Sequence, residues 1–330
     1  MTTYQKIKLS SIVQPHFYSF WNSKAPYLIL NGGRGSFKSS TISIKLMVKF
    51  KKHTQQGNKV NVVVVRENAV NLRDSVYGQI VWAISKLGMI REFRYSVSPM
   101  KIVHKRTGST FYFYGGDNPE RLKSNTVGDL MALWYEEAAN FKSAEVFDQT
   151  NPTFIRQKAE CVDQVQVIYS YNPPKNPFDW VNEWVDEKTG DPDYFVDKST
   201  YLDDELGFTT KQQLALIESY KRNDYDYYRW LYLGEVIGLG NNVYNMALFH
   251  EVDELPDDDY VAELAYSIDS GNQTSATTCL CLGITGKGNV ILLDTYYYSP
   301  AGLANKKAPS QLAKELHEFI KQTASDFPEA

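Results

Sequence analysis

At 330 residues and a formal net charge of −4, the chain is longer than a typical single domain, which makes two domains the expectation. No apolar run approaches the roughly 20 residues of a bilayer-crossing helix, and the opening "MTTYQKIKLSS" lacks the apolar segment of a signal peptide, so a soluble protein with no membrane attachment is expected. The three cysteines, Cys161, Cys279 and Cys281, have no metal-like spacing and point to a reduced, cytoplasmic setting.

The first strong signal is "LILNGGRGSFKSS", residues 28–40. It fits the phosphate-binding pattern G-x-x-x-x-G-K-[ST] from Gly32 to Ser39, except that Phe37 stands where the second glycine belongs. "YLILN" (Tyr27–Asn31) predicts a strand entering the loop. Gly32, Gly33 and Gly35 let backbone N–H groups turn toward anionic oxygens. The helical spacing of Ile42, Leu46 and Phe50 predicts a helix leaving it, with its N-terminus facing the phosphates. In that geometry Lys38 reaches the β- and γ-phosphates of ATP, and the Ser39 hydroxyl ligates Mg²⁺. The alternative for the loop alone, which the pattern favours less, is a glycine-rich strand–helix turn with an incidental lysine.

"KVNVVVVRE" (Lys59–Glu67) reads as a buried strand, and "NLRDSVYGQIVWAISKLG" as a helix ended by Gly88. "SVSPMKIVHKRTGSTFYFYGG" predicts short antiparallel strands turning at Thr107-Gly108. "DLMALWYEEAANF" then supplies the second half of a nucleotide site. Its strand Leu130–Tyr135 ends in Glu136, a carboxylate for Mg²⁺, and Glu137, a general base for the attacking water. A loop and an acid pair about a hundred residues apart make an ATPase the expected reading. "DQVQVIYSYNPP" (Asp163–Pro174) predicts a further strand, and residues 176–236 read as helices. Alternating strands and helices of this kind imply a parallel sheet.

"GLGNNVYN" and "EVDELPDDDY" mark the expected domain boundary. Beyond it, three strands with turns at Ser270–Gln273 and Gly286–Asn289 precede a helix, "PSQLAKELHEFIKQ". Cys279 and Cys281 read as one face of a strand. Charge divides along the chain: residues 1–150 carry 21 Lys and Arg against 10 Asp and Glu, and residues 151–330 carry 14 against 29. A basic half suits a protein gripping a polyphosphate backbone. Lysine-rich solvated helix faces such as "KLMVKFKKH" would give the same count, and both readings stand. The acidic half excludes a uniformly basic DNA-coating protein.

Five segments in this order, "NGGRGSFKSS", "LWYEEA", "VIYSYNPPKNPFDWV", "YYRWLYLGEVIGLGNNVYN" and "YSIDSGNQTSAT", resemble the large terminase subunit of tailed bacteriophages. The similarity is greatest to its branch in prophages of low-GC Gram-positive bacteria and spans nearly the whole chain. The resemblance implies an α/β protein: a P-loop (ASCE/RecA-like) ATPase core over residues 1–175, a helical lid over 176–240 and a linker over 241–260. Residues 261–330 would form the N-terminal part of an RNase H-like nuclease domain. It implies nucleotide contacts from Gln14 (adenine), Gly32, Gly33, Arg34, Gly35, Ser36, Lys38, Ser39 and Ser40. Arg34 would sense the γ-phosphate, Asn172-Pro173 would end a coupling strand, and Arg121 would reach a neighbouring subunit's ATP. For the nuclease, Mg²⁺ or Mn²⁺ would sit on Asp269; Asp294, which ends the third strand, is a weaker candidate that reads more readily as a turn residue. In the family another strand carries a second acid and a later segment supplies a third, so this nuclease is expected to be incomplete.

The implied function is ATP-driven translocation of double-stranded DNA, without sequence preference, into a procapsid. The implied partners are the portal protein, the small terminase subunit and copies of the chain itself in a homo-oligomeric ring, a pentamer. The implied location is the bacterial host cytoplasm, transiently at the portal. Two other readings remain: a P-loop helicase or translocase on host DNA, and an inactive prophage remnant acting as an adaptor.

Overall fold

The computed structural model describes residues 7–117, 122, 126–238, 252, 254–271, 275–300 and 306–330. The chain divides into two compact units, Met1–Asn241 and Asn242–Ala330.

The first unit is mixed α/β. Its strands are β1 (Tyr27–Gly32), β2 (Asn61–Arg66), β3 (Phe93–Val97), β4 (Met100–His104), β5 (Thr110–Gly115), β6 (Leu130–Glu136), β7 (Gln166–Tyr171) and β8 (Tyr194–Ser199). They form one sheet in the order β3-β4-β5-β2-β6-β7-β1-β8. From β5 to β8 all pairings are parallel, and β4 and β3 extend the sheet antiparallel. The α-helices with described bounds are α1 (Tyr18–Asn22), α2 (Lys38–Gln55), α3 (Gly78–Lys86), α4 (Glu145–Ile155), α5 (Trp180–Lys188), α6 (Lys211–Asn223) and α7 (Tyr225–Leu233).

The central strands are apolar on both faces because helices cover both. Leu28, Leu30, Val62, Val64, Trp134 and Ile168 pack with α2 and α3 on one side. Their alternates Ile29, Val63, Val65, Leu133, Tyr135 and Tyr169 pack with α4 and α5 on the other. This period-2 alternation fixes the register of the sheet. A smaller cluster, Tyr201, Ile217, Tyr228 and Tyr232, holds α6 and α7 together.

Two elements differ from the sequence reading. The stretch 176–236, expected to be helical, contributes β8, which pairs along β1 from Tyr27↔Tyr194 to Gly32↔Ser199. As the sheet's edge it is only half-buried and carries Asp197 and Lys198, so it lacks the apolar run of a central strand. The helix expected from Asn71 begins instead as a π-helical turn, Arg73–Tyr77, and becomes α-helical at Gly78. The linker expected at 241–260 falls largely outside the described residues, as does Arg121.

The second unit is a three-stranded antiparallel sheet, β9 (Val261–Asp269), β10 (Thr277–Thr285) and β11 (Val290–Tyr298), with α8 (Pro309–Asp326) on one face. Cys279 and Cys281 are buried on that face. Tyr266 donates its hydroxyl to Ile320 O at 3.3 Å, and the Tyr296 ring meets Phe319 at 6.1 Å. Asp294 is not at a strand end, as expected, but in the middle of β11. No helix among the described residues is long and apolar enough to cross a membrane.

Candidate functional site: a loop and two acids at the strand ends

Parallel strands deliver their C-terminal ends to one edge of a sheet, and ligands of open α/β sheets bind there. Here β1 ends in the glycine loop, β6 in Glu136-Glu137, β7 in Asn172-Pro173 and β2 in Arg66. The loop, the acid pair and Asn172-Pro173 border one cleft of about 1140 Å³.

The first half of the loop is tied down by protein carbonyls. Gly33 N–H donates to Ser199 O at 3.1 Å and Arg34 N–H to Leu231 O at 2.7 Å. A Cβ on Gly33 would lie 1.9 Å from Tyr232 O, and one on Gly32 1.9 Å from Ser199 O, so only glycine fits at either position. The second half stays available. Lys38, Ser39 and Ser40 open α2 with the unsatisfied N–H groups of a helix first turn. Phe37, preceding them, has φ 65° and ψ 9°, the left-handed conformation that normally calls for glycine. Its ring lies edge-on to Phe208, centroids 6.0 Å apart.

Lys38 is 7% exposed. Its ammonium donates to Gly32 O (3.0 Å), Gly33 O (3.1 Å), Ser36 Oγ (2.9 Å) and Asn172 Oδ1 (2.9 Å). Burial lowers its pKa from 10.5 to about 8, against the opposing pull of Glu136, Glu137 and Asp197. Ser39 Oγ donates to Glu136 Oε1 at 2.7 Å, and Ser170 Oγ donates to Glu136 Oε2. Trp134 Nε1 fixes Ser170 from behind at 2.8 Å. Burial raises the Glu136 carboxyl above its ordinary value, while the bonds from Ser170 and Ser39 oppose the rise. Glu137, in the left-handed region at φ 55°, turns out of the strand and stands 3.9 Å from Arg66 Nη2.

The structure therefore brings together Gly33, Arg34, Gly35, Ser36, Lys38, Ser39, Ser40, Glu136 and Glu137 around one cleft. Gln14 lies elsewhere: 2% exposed, it donates to Asp204 Oδ1 at 2.5 Å and accepts from Leu206 N at 3.0 Å. Residues absent from the sequence reading also line the cleft. Phe208, Trp230 and Tyr232 arrive from the α6–α7 region. Trp230 Nε1 donates to Pro173 O at 2.9 Å, and Lys175 Nζ sits 4.6 Å above the Trp230 ring. The aromatic run "YDYYRWLYL" was the available signal, but helical spacing cannot tell a core ring from a cleft wall.

In the second unit Asp269 pairs with Thr278, and Asp294 with Cys281. Thr278 and Cys281 are an odd number of residues apart on β10, so the two carboxylates lie on opposite faces of the sheet. The expectation that both serve one metal site is corrected accordingly.

A family model described as phage terminase large subunit matches residues 24–235. The large terminase subunit of Bacillus phage SPP1 is 31% identical over 242 residues, covering 72% of this chain and 56% of that protein. The PBSX phage terminase large subunit of Bacillus subtilis (strain 168) is 32% identical over 131 residues, covering 39% and 28% respectively. The chain thus spans about half the length, or less, of these curated relatives. The large terminase of a thermophilic bacteriophage matches with a TM-score of 0.53 at 17% identity, over 93% of this chain and 74% of that one, a likeness of fold. The same thermophilic-phage protein in complex with ADP matches with a TM-score of 0.52 at 17% identity, over the same shares of the two chains. With the family model matching well over half of its residues, the chain belongs to the phage terminase large subunit family.

Proposed function

We propose that the first unit is a P-loop (ASCE/RecA-like) ATPase core with a helical lid that drives double-stranded viral DNA into a procapsid. The observation that carries this is the convergence of Lys38 and Ser39 with Glu136 and Glu137 on one cleft. The sheet order supports it, because β7 lies between the strand feeding the loop and the strand ending in the acids.

The residues present fit Mg²⁺. Ser39 Oγ and the Glu136 carboxylate are an all-oxygen pair suited to a hard cation, and burial penalises the negative charge of Glu136 until a cation offsets it. Bound there, Mg²⁺ supplies charge neutralisation at the β- and γ-phosphate oxygens. Lys38 exchanges its present acceptors for phosphate oxygens, and the free N–H groups of the first turn of α2 cradle the anion. Glu137 takes the proton of the water attacking the γ-phosphoryl group. Arg34, on the loop and beside Tyr232, senses that phosphate. Asn172, released when Lys38 turns away, links the loop to Pro173 and through it to Trp230 of the lid.

The second unit is proposed as the N-terminal part of an RNase H-like nuclease, with Asp269 as its first ligand for Mg²⁺ or Mn²⁺. By resemblance Arg121 would act in a neighbour's site. The proposed partners are the portal protein, the small terminase subunit and further copies in a ring. The proposed location is the host cytoplasm, transiently at the portal.

The test is ATP turnover with and without portal protein, small subunit and linear duplex DNA. Stimulation by the three together is expected. Lys38→Ala should abolish turnover, and Glu137→Gln should bind ATP yet turn over at least about a hundredfold more slowly. Undiminished turnover in Lys38→Ala would overturn the assignment. Stimulation by DNA alone, with no response to portal or small subunit, would favour a helicase or translocase instead.

A further inference from the structure

The positive charge of residues 1–150 is only partly used around the nucleotide cleft. Lys38 is inside it, Arg66 faces Glu137, and Lys59 pairs with Asp129. Five of the remaining cations gather at the far end of the sheet. Residues 91–116 hold Arg91, Arg94, Lys101, Lys105 and Arg106 against a single carboxylate, Glu92. Glu92 faces His104 at 3.6 Å, and among the described residues none of the five cations forms a salt bridge. Lys105 and Arg106 donate to the carbonyls of Arg91 and Thr54, which satisfies N–H groups but leaves both charges uncompensated.

The register collects part of this charge on one face. Ser96 stands opposite Lys101, Lys101 opposite Tyr112, and Arg94 opposite Val103. Arg94, Ser96, Lys101 and Tyr112 therefore share a face, with Arg94 and Lys101 diagonal neighbours about 7–8 Å apart. Arg94 is exposed, and Lys101 and Tyr112 are half-buried. The Tyr112 ring lies beside that of Tyr114, centroids 6.2 Å apart. Helices α2 and α3 pack against the opposite face, whereas on this one α4 and α5 pack over β6 and β8. Among the described residues this face carries one guanidinium and one ammonium group flanked by hydroxyls, with no carboxylate on strands β3 to β5. That is the donor set of a phosphate-backbone contact that reads no sequence.

We propose that the β3–β4–β5 corner, through Arg94, Lys101 and Tyr112 with Arg91 and Lys105 at its rim, is a contact surface for the backbone of duplex DNA. It is separate from the nucleotide cleft and rests on the reading that the chain acts on DNA.

The test uses the full chain and a short linear duplex, with binding followed by fluorescence anisotropy between about 50 and 200 mM salt. Arg94→Glu/Lys101→Glu is compared with Lys24→Glu/Lys52→Glu, a pair with the same change in net charge on other lysines. DNA-free ATP turnover reports the integrity of each variant. The corner pair should lose at least about tenfold in affinity, and its slope of log affinity against log salt should fall by about 2, two phosphate contacts at about 0.9 each. The control pair should keep the wild-type slope. If the corner pair loses ATP turnover, Arg94→Gln/Lys101→Gln takes its place. Equal slopes for corner and control pairs would overturn the surface while leaving the DNA reading intact. A wild-type chain that binds no duplex at the lowest salt would overturn both.

Discussion

Phe37 has the least expected backbone in the glycine loop. The pattern asks for glycine there, and φ 65° explains why, since a side chain costs about 1 kcal/mol in the left-handed region. The edge contact with Phe208 recovers a similar amount, about 0.5–1.5 kcal/mol. Phe37→Gly should therefore bind an ATP analogue within about tenfold of wild type, roughly 1.4 kcal/mol. Phe37→Val places a β-branched residue in the same conformation and gives up the ring contact, so it should bind more weakly than either. Equal binding by the valine and glycine variants would show that the backbone relaxes freely. Lys38 gives a second expectation, with a sign. Its folded pKa, about 8, lies below the ordinary lysine value of 10.5. The unfolded chain thus holds more protons between these values, so the penalty on stability is full below about pH 8 and fades as pH rises toward 10.5. ATP binding runs the other way, because phosphate needs the charged form. Affinity for an ATP analogue should fall above pH 8, by at most about tenfold per unit. A flat profile from about pH 7 to 9 would mean that Lys38 is not the phosphate contact.

Among the elements, the central strands were legible because buried parallel strands need apolar residues on both faces, and "VVVV" and "LMALWY" provide them. β8 was not. Its sequence, Tyr194–Ser199, alternates nothing clearly, since an edge strand meets solvent along one side. Helices α6 and α7 were legible as helices, and the structure caps them with Thr210 and Gln213 before α6 and Asp224 before α7. Their function was not, because a contact such as Trp230 to Pro173 joins residues 57 apart in the chain. That contact connects α7 to the strand end holding Lys38, while Leu231 O accepts from Arg34 N–H beside it. Trp230→Phe keeps an aromatic ring, smaller than the indole, and removes one hydrogen bond, worth about 1 kcal/mol. If this link carries lid movement, kcat for ATP should fall about fivefold with KM little changed. A rise in KM at constant kcat would instead make Trp230 part of the binding wall.

At the scale of the whole molecule, the chain divides after Asn241, ahead of the acidic stretch that opens at Glu251, and the faces of the second sheet were not readable. Counting back from the turn at Gly286–Asn289, simple alternation continues the Leu282↔Leu292 pairing to place Asp294 opposite Leu280, on the face of Asp269. A bulge between Cys281 and Leu282 shifts the register by one residue, and Asp294 pairs with Cys281 instead. One extra residue in a strand moves every later side chain to the other face. Two metals bridged by carboxylates need those groups on one surface, so Asp269 and Asp294 cannot share the role. The two substitutions should then be unequal in Mn²⁺-dependent plasmid cleavage. Cleavage should be weak at best with one of the two acids in place, Asp294→Ala should leave its rate unchanged, and Asp269→Ala should remove whatever is present. Both variants should turn over ATP at the wild-type rate, because the cleft lies wholly within Met1–Asn241. Strong cleavage abolished equally by either substitution would mean that the two carboxylates meet on one metal centre.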